Sequence, residues 1–369
     1  MIPLFRRYPA LRDGIPYTPL GGLPTPVHRL ERLGAETGAA SLYIKRDDLT
    51  GTVYGGNKIR KFEFIMGRAL HDGVKAVITF GVPGTRHALC VTAAAREAGL
   101  RSIVMVHSEM SPYGDAANLL MTRYCGAELH HHSCFKYMVT GGALQCLKHM
   151  LRTGRPPRLL RNRSCPTGTV AFVNAAFELK EQIERGEMPE PDHIYVALGT
   201  TGIAAGLMLG VKAVKLNSRV VPVRVTGESS TKTRKMARLF RTTNDLLHSR
   251  DASFPEFETP KSDFHINHSL IGESYLEFPT ASAEAAELMK RTEGIALEGI
   301  YTGRALAALI AYVRNDSARS GVLLFWNTFN SRDLTPALSS IDRRSLPGWM
   351  QDYYEEYAAQ ASPSRERII

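Results

Sequence analysis

The stretch HIYVALGTTGIAAGL, residues His193–Leu207, decides the fold that the sequence predicts. A run of β-branched and apolar residues passes directly into a turn with glycine at both ends, and then into an apolar pattern of helical period. Such a strand, turn and helix is the repeating unit of a parallel sheet whose helices cover both faces. Ligands bind these sheets at the carboxyl ends of the strands, where turns of this kind lead into helices.

The same alternation continues along most of the chain. Further strands are predicted at Ser41–Asp47, Lys75–Gly81, Arg101–His107, Arg219–Gly227 and Gly321–Asn327. Helices are predicted at Asn57–Leu70, Thr85–Ala98, Asp115–Cys125, Val170–Arg185, Gly202–Leu216, Ser282–Thr292 and Arg304–Arg314. We therefore expect an α/β protein with doubly wound, mostly parallel sheets.

The chain has 369 residues, enough for about two domains at ~150 residues each. Hydrophobic residues make up 44% and charged residues 22%, which excludes fibrous and collagen-like classes. The Pro- and Arg-rich stretch Gly154–Pro166 is the predicted linker. We expect a smaller domain over residues 52–165, inserted into a larger domain made of 1–51 and 166–369, with a flexible tail over 358–369.

Composition also limits the location and the partners. No apolar run reaches the ~18 residues of a membrane span, and the start MIPLFRRYPALRDG lacks a secretory apolar core, so we expect a cytoplasmic protein without membrane contact. The five cysteines include no CxxC pair, which favours reduced thiols. Adjacent strand residues face opposite sides, so the triplet at residues 130–132 (HHH) predicts no metal site.

The net charge of +10 should attract anions. The basic clusters Arg155–Arg163 and Lys232–Arg241 carry much of the excess, but neither has the interleaved aromatic residues of a nucleic-acid module. Solvated basic faces are the favoured interpretation, and no nucleic-acid partner is expected.

The segment KRDDLTGTVYGGNKIRKFEF, Lys45–Phe64, places a lysine at a helix start. Its Gly-Gly-Asn turn leads directly into the predicted helix, so Lys58 lies beside unpaired backbone N–H groups and the positive end of the helix dipole. This field disfavours an ammonium, and an uncharged lysine amine is the type that forms a Schiff base with a carbonyl cofactor. Lys61 shares the same face and could meet an anion there. A surface lysine at a helix start is the alternative.

The turn in ALGTTGIAAGL, Ala197–Leu207, is a candidate phosphate site. Its glycines and hydroxyls would let successive backbone amides surround a phosphate. It has neither the GK[ST] of a P-loop nor the GxGxxG of a dinucleotide site, which suits a single phosphate. An ordinary turn between strand and helix is the alternative. A Schiff-base lysine together with a site for one phosphate specifies pyridoxal phosphate.

With these motifs the sequence resembles the fold type II, tryptophan-synthase-like pyridoxal-phosphate enzymes. Within them it is similar to the family of D-cysteine desulfhydrase and 1-aminocyclopropane-1-carboxylate (ACC) deaminase. GGNKIRK is the most specific match, and LPTPVHRL, the segment Ile78–Leu100, the phosphate turn and EGIYTGRAL extend it over most of the chain. The resemblance implies a homodimer, a small amino-acid substrate, and pyridoxal phosphate in the cleft between the two domains.

Positions that match the family's motifs receive roles from the resemblance. The Schiff base falls to Lys58, and Tyr275 and Tyr301 match two active-site tyrosines, one of which assists proton transfer. The residues implied to bind the cofactor are Asn57, Lys58, Lys61, Gly199, Thr200, Thr201, Gly202, Ile203, Thr302 and Asn327. Thr201 and Ile203 depart from the family's more glycine-rich phosphate cup.

The position of Thr302 bears on the reaction. By resemblance it faces the pyridine nitrogen, where ACC deaminases carry glutamate and desulfhydrases carry threonine. A hydroxyl holds that nitrogen protonated only weakly, which favours β-elimination over opening of a cyclopropane. Asn327 lies near the ring by resemblance, where desulfhydrases carry a small hydroxyl residue.

The segment GVPGTRH, Gly81–His87, departs most from the family's GxxQSNH. Gly84, Thr85 and Arg86 replace glutamine, serine and asparagine. Thr85 keeps a hydroxyl for substrate contact or catalysis, and Arg86 could bind a carboxylate with two hydrogen bonds, which would suit a more acidic substrate. Alternatively, Arg86 pairs with a structural acid, or catalysis is altered. His87 matches the family and is expected to stack on the ring or hold the loop.

The leading interpretation is a lyase in which Lys58 removes the Cα proton of a small amino acid, a β-substituent leaves, and a keto acid and ammonia are released. ACC deaminase-like, β-replacement and racemase activities on the same scaffold stay open. A cofactor-binding protein with lost or altered catalysis is the non-enzymatic alternative.

Overall fold

The computed structural model describes residues 1–108, 115–227, 231–259, 264–270, 279–315 and 320–360, with side chains to residue 356. These residues form two compact units. The larger unit comprises Met1–Tyr17, Gly21–Phe64 and Arg163–Ser331, and the smaller comprises Thr18–Leu20, Ile65–Asn162 and the chain from Arg332 onward.

All of the predicted strands and helices form, with ends that shift by a few residues. The α-helices are α1 (Pro3–Arg7), α2 (Leu11–Gly14), α3 (Glu31–Thr37), α4 (Lys58–His71), α5 (Arg86–Glu97), α6 (Ala116–Tyr124), α7 (Phe135–Thr153), α8 (Pro166–Glu184), α9 (Gly202–Ala213), α10 (Thr233–Arg250), α11 (Thr280–Glu293), α12 (Thr302–Arg314), α13 (Thr335–Ser339) and α14 (Gly348–Gln360). The strands are β1 (Val27–Arg29), β2 (Ser41–Arg46), β3 (Ala76–Gly81), β4 (Arg101–His107), β5 (Glu128–His132), β6 (Arg158–Leu159), β7 (His193–Leu198), β8 (Arg219–Arg224) and β9 (Val322–Asn327). Short 3-10 turns lie at Asp47–Leu49 and Arg343–Ser345.

The larger unit contains a five-stranded sheet in the order β1-β2-β9-β7-β8. Strand β1 is antiparallel to β2, and the other neighbours are parallel. Lys45 of β2 pairs with Trp326 of β9, and Arg46 pairs with Asn327, while Val196 of β7 also pairs with Trp326. The carboxyl ends of these three central strands therefore lie along one edge of the sheet.

Alternate residues of the central strands enter two separate cores of the larger unit. Val196 and Trp326 pack on one face with helices α1, α8, α9 and α10. Tyr195 and Phe325 pack on the other face with α11 and α12. Helices on both faces of a mostly parallel sheet confirm the predicted doubly wound α/β class.

The smaller unit repeats this arrangement around a parallel sheet in the order β5-β4-β3-β6. Met105 of β4 packs with Met138 of α7 on one face. Val104, its neighbour along the strand, packs with Ala88 of α5 on the other.

The units differ from the predicted domains most at two places, with shorter differences at Thr18–Leu20 and at residues 163–165. Residues 52–64 belong with the larger unit, where the Phe64 ring lies 6.3 Å from that of Phe5. The C-terminal segment from Arg332 belongs with the smaller unit, because Met350 packs against Leu120 of α6. Contacts between segments so distant along the chain leave no local sequence signal.

Three shorter features bear on the expectations: the linker and the tail differ from them, whereas the basic cluster of α10 lies on an exposed face, as favoured. The predicted linker Gly154–Pro166 contains β6, which pairs with β3. The basic cluster Lys232–Arg241 forms the exposed side of α10, whose other side buries Met236 and Phe240. Helix α14 continues to Gln360, and residues 361–369 of the predicted tail lie outside the described residues.

No helix built from the described residues is long and apolar enough to cross a bilayer. The histidine triplet forms part of β5, where the ring of His131 stacks on that of Trp349 with centroids 4.6 Å apart. Within the described ranges, no group of three or more His, Cys, Asp or Glu side chains is arranged to hold a metal ion.

Candidate active site

The Gly-Gly-Asn turn before α4 is held by backbone hydrogen bonds. Gly56 N donates to the carbonyl oxygen of Asp47 at 3.2 Å, and the next amide donates to Thr328 O at 3.3 Å. A Cβ on Gly55 would lie 2.5 Å from a carbonyl oxygen of the neighbouring 3-10 turn, and Gly56 has φ +96°. Only glycines fit this turn, which fixes the point at which Lys58 begins the helix.

Lys58 is half-buried, and no hydrogen bond or ion pair to its Nζ is formed among the described residues. Asn57, the residue before it, is also half-buried. Lys61 lies one turn later, with Nζ 5.3 Å from the centroid of the Phe62 ring. A partly buried amine that no acid neutralises is suited to covalent attachment of a carbonyl compound.

A buried ion cluster, made of Lys45, Asp47, Arg60 and Glu178, anchors α4 on another side. Arg60 Nη2 bonds to Asp47 Oδ1 at 2.7 Å, and Arg60 Nη1 bonds to Glu178 Oε2 at 2.8 Å. Lys45 Nζ bonds to Glu178 Oε1 at 2.6 Å. Burial opposes the charged forms. At Arg60 and Glu178 the opposite charges outweigh it, so the pKa of Arg60 is raised and the pKa of Glu178 is held well below its usual value. At Lys45 burial outweighs the neighbouring carboxylates and lowers the pKa.

The turn between β7 and α9 forms where the sequence predicts it. Thr201 has φ +63°, a left-handed conformation that disfavours a β-branched residue. Ser164 Oγ donates to the carbonyl oxygen of Thr200 at 2.5 Å and accepts from Gly202 N at 3.1 Å. The amide of Ile203 belongs to the first turn of α9 and has no acceptor within the helix, so it is suited to a phosphate.

The start of α12 is organised by Glu298, which is 1% exposed. Its Oε1 accepts hydrogen bonds from Tyr301 N at 2.9 Å and from Thr302 N at 2.7 Å. Thr302 Oγ1 lies 3.1 Å from the same Oε1 and accepts from Glu298 N at 3.2 Å. The Thr302 hydroxyl donates to Glu298, whose carbonyl oxygen and Oε1 both lie at 3.1 Å. Glu298 was not among the residues predicted from the sequence.

Tyr301 is half-buried, and its ring lies beside the turn after β7. A Cβ on Gly199 would lie 3.2 Å from Tyr301 Cε1. The structure thus brings a predicted active-site tyrosine next to the predicted phosphate turn. Tyr275, the second predicted tyrosine, lies outside the described residues.

Asn327 ends β9 and is fully buried. Its Oδ1 accepts from Phe329 N at 3.2 Å. Its Nδ2 finds no hydrogen-bond acceptor within the described part of the chain. A buried donor without an acceptor is costly, so this N–H is suited to a bound molecule.

The smaller unit carries the segment Gly81–His87. Gly84 has φ +72°, and a Cβ there would lie 2.1 Å from the carbonyl oxygen of Asp115. Thr85 is the N-cap of α5, and its Oγ1 accepts from Ala88 N at 3.2 Å. Close approach of another backbone explains the glycine in place of the family's glutamine, and the cap leaves the Thr85 hydroxyl proton able to donate.

Arg86 and His87 are the first residues of α5. Arg86 is half-buried. His87 is buried, and its Nε2 lies 3.3 Å from the carbonyl oxygen of Leu160. This contact supports the loop-holding role for His87.

The predicted site residues that the structure describes lie on both units, and several residues that contact or support them were not predicted. Lys58, Tyr301, Thr302 and Asn327 all lie on the larger unit, as does the turn over residues 199–203, whereas residues 85–87 lie on the smaller unit. The missed residues are Ser164, Arg60 and Glu298. An acidic residue just before a predicted helix start was the one available signal, and it pointed to Glu298.

These residues fit pyridoxal phosphate. The Lys58 amine is available for the aldehyde, and the start of α9 suits the phosphate. Thr302 Oγ1 and Asn327 Nδ2 supply polar atoms for the ring, and the second of these has no acceptor among the described residues.

Comparisons with known proteins agree with this site. The family model described as pyridoxal-phosphate dependent enzyme matches residues 18–328. A protein of Pyrococcus horikoshii named putative ACC deaminase is 32% identical over 304 residues, which cover 81% of this chain and 86% of that protein. A D-cysteine desulfhydrase of Salmonella paratyphi B is 28% identical over 301 residues, which cover 80% of this chain and 88% of that protein.

A solved structure, described as an ACC deaminase homologue, matches with a TM-score of 0.70 and 29% identity, covering 90% of this chain and 98% of that one. The predicted cofactor and enzyme class are thereby confirmed. A family model that spans most of the chain, together with relatives of similar length, shows that this chain belongs to the pyridoxal-phosphate dependent enzymes.

Proposed function

We propose that this enzyme is a deaminating lyase of the D-cysteine desulfhydrase type. It removes the Cα proton of a small amino acid, eliminates a β-substituent and releases a keto acid and ammonia. The observation that carries the proposal is the half-buried Lys58 amine at the start of α4, which has no acid partner among the described residues. Two relatives named for amino-acid deamination or desulfhydration support a small amino acid as substrate.

Lys58 Nζ has two proposed roles, cofactor attachment and proton removal. Its Nζ would hold the cofactor, and once released it is the base that takes the proton from the substrate Cα. Pyridoxal phosphate, when bound, supplies the electron sink that acidifies this C–H bond. Asn327 Nδ2 and Thr302 Oγ1 orient the cofactor ring, and the turn over residues 199–203 binds its phosphate. Asn57 and Lys61 flank this attachment point.

The remaining roles concern the substrate. Tyr301, beside the phosphate turn, passes a proton to the departing β-group, with Tyr275 as its proposed partner. Thr85 donates its hydroxyl proton to the substrate carboxylate, and Arg86 binds the same group through charged hydrogen bonds. His87 keeps the start of α5 in place through its bond to a backbone carbonyl.

ACC deamination is the second candidate, because of one observation. Thr302 lacks a carboxylate of its own, which favours β-elimination, but its hydroxyl is hydrogen-bonded to the buried carboxylate of Glu298. That carboxylate brings negative charge close to the position that a glutamate would otherwise occupy. The relative from Pyrococcus horikoshii carries the corresponding name.

Product analysis separates these reactions. The purified enzyme is incubated separately with D-cysteine, L-cysteine and ACC, and ammonia, keto acid and sulfide are measured. We expect equal amounts of pyruvate, sulfide and ammonia from D-cysteine, whereas ring opening of ACC would give 2-oxobutanoate and ammonia. Interconversion of D- and L-cysteine without ammonia would indicate racemisation. Cofactor absorbance without any ammonia would contradict a lyase.

The family resemblance and the composition support two further proposals. The chain assembles as a homodimer, and it acts in the cytoplasm. Analytical ultracentrifugation of the holoenzyme tests the first, since a mass of one chain would contradict it. Cell fractionation tests the second.

A further inference from the structure

Arg60 follows Lys58 by two residues in α4 and is the member of the buried ion cluster that belongs to this helix. Because positions two apart differ by about 200° around a helix, Arg60 and Lys58 point to different sides. We propose that Arg60 is a positioning residue, which fixes the rotation of the first turn of α4 and thereby the placement of Lys58 Nζ. This inference rests on the role proposed above for Lys58.

The hydrogen bonds of Arg60 fix the plane of its guanidinium group and its position relative to Asp47 and Glu178. Its Nε bonds to Asp47 Oδ2 at 2.9 Å and its Nη2 to Asp47 Oδ1 at 2.7 Å, a two-bond fork on one carboxylate. Its Nη1 bonds to Glu178 Oε2 at 2.8 Å, and its Nη2 also bonds to Thr25 Oγ1 at 2.8 Å. The side chain is 1% exposed, so water cannot replace these bonds if the helix turns.

Asp47 connects this anchor to the other parts of the site. Its Oδ2 accepts from Trp326 Nε1 at 2.7 Å, and Trp326 directly precedes Asn327 at the end of β9. Its carbonyl oxygen accepts from Gly56 N in the turn before Lys58. One buried carboxylate residue therefore holds the turn, the helix and the strand end in a common arrangement.

Lys45 provides a matched comparison inside the same cluster. Its side chain is 0% exposed, and its Nζ bonds to Glu178 Oε1 at 2.6 Å and to Thr25 O at 2.7 Å. It forms no hydrogen bond with α4 among the described residues. The cluster contains two basic side chains and two carboxyl groups, so either methionine variant removes one basic side chain and keeps both carboxyl groups.

The experiment compares Arg60→Met and Lys45→Met as holoenzymes. Arg60→Lys is the variant that keeps the positive charge but cannot form the two parallel hydrogen bonds to the Asp47 carboxylate. Thermal midpoint, the pH midpoint of the cofactor's visible absorbance without substrate, kcat and KM are measured. We expect similar losses of thermal midpoint in the two methionine variants. Only Arg60→Met should shift the absorbance midpoint, by about one pH unit, and lower kcat by about 100-fold with little change in KM.

Arg60→Lys is expected to fall between the native enzyme and Arg60→Met in both readouts. If Arg60→Met does not fold, Arg60→Lys decides, since an unchanged absorbance midpoint and kcat would overturn the inference. Equal spectra and kcat in Arg60→Met and Lys45→Met would also overturn it, because the cluster would then serve stability alone. Lys58→Ala is measured in parallel: a cofactor spectrum unchanged from that of the native enzyme would instead refute the proposed function.

Discussion

The turn before Lys58 and the segment Gly81–His87 share one structural arrangement. Each leads into a helix whose first residue is a cation, Lys58 in α4 and Arg86 in α5. The first turn is fixed by two glycines, by backbone bonds and by the buried ion cluster behind the helix. The second is fixed by the left-handed Gly84 and by the Thr85 cap.

The two segments differ in how closely their side chains match the family motif. The sequence resembles the family motif closely where buried charges support the helix, and it departs from that motif where a glycine and a side-chain cap hold the loop. In the proposed function, the covalent chemistry falls to Lys58 on the larger unit, and substrate contacts fall to Thr85 and Arg86 on the smaller unit. Lys58→Ala and Glu178→Gln change the first region, and Arg86→Leu changes the second.

The largest effect is expected from Lys58→Ala. Loss of the amine removes both the cofactor's covalent anchor and the base, so kcat should fall by at least about 10³-fold, and the cofactor's visible absorbance should shift to that of the unattached aldehyde. Spectra and ammonia release measure both changes. Lys75→Ala, at an exposed lysine, is the control and should match the native enzyme; a Lys58 variant that behaves like this control would contradict the assignment.

Glu178→Gln tests how much the buried ion cluster stabilises the fold. It leaves Arg60 and Lys45 without a shared charged partner, so the free energy of unfolding at pH 7 should fall by about 3–5 kcal/mol. The pKa of Glu178 in the folded protein lies well below its ordinary value of 4.5. Its contribution is therefore complete above about pH 4.5 and is lost as the pH falls below that value.

Denaturant unfolding at pH 7 and pH 4 measures this effect. The native chain should lose stability between these pH values more steeply than Glu178→Gln. Glu181→Gln is the matched control on the same helix, since Glu181 is 31% exposed and pairs with Arg6 at the surface; it should change the free energy of unfolding by less than about 1 kcal/mol. Equal pH slopes in native chain and Glu178→Gln would count against the cluster.

Arg86→Leu tests the loop of the smaller unit. A charged hydrogen bond to a substrate carboxylate contributes about 1.5–3 kcal/mol, so KM should rise about tenfold to a hundredfold while kcat changes less. Steady-state kinetics on the accepted amino acid measure the split. Arg96→Leu, at an exposed position near the end of the same helix, should leave KM as it is. A fall in kcat with KM unchanged would remove Arg86 from substrate binding.

The smallest effect is expected from Thr201→Gly. Glycine relieves the left-handed strain of about 1–2 kcal/mol, and its greater freedom in the unfolded chain offsets about 0.5–1 kcal/mol of this. A gain in stability of less than about 1 kcal/mol should follow, with cofactor binding retained. Denaturant titration and absorbance titration measure the two quantities. A clear loss of stability would show that the threonine side chain itself holds the turn.

Local patterns predicted most of the fold because strand and helix periods alternate clearly, as in His193–Leu207. They did not predict elements that are too short to show a period, helices whose apolar residues do not lie on one face, or packing between segments distant along the chain. Strand β6 has two residues, too few to show a period, and α7 has apolar residues on its exposed side as well, among them Tyr137 and Leu151. The place of the C-terminal segment depends on packing against α6.

The residues of the candidate site also divide into those with a local sequence signal and those without one. A glycine turn at a helix start makes Lys58 a candidate from neighbouring residues alone, and the family resemblance assigns it the Schiff-base role. Arg60 meets Glu178, which is 118 positions away, so no spacing rule could pair them. Glu298 was missed although it lies four residues before Thr302, because an acidic side chain before a helix is common at exposed ends and nothing local shows that this one is buried.

The most direct test of the central claim is reduction of the holoenzyme with borohydride, followed by proteolysis and mass mapping of the peptides. Reduction makes the bond between lysine and cofactor permanent, so the modified residue can be identified. We predict the added mass of the reduced cofactor on the peptide that contains Lys58 and its absence from Lys58→Ala. The same mass on another lysine, or on none, would contradict the account.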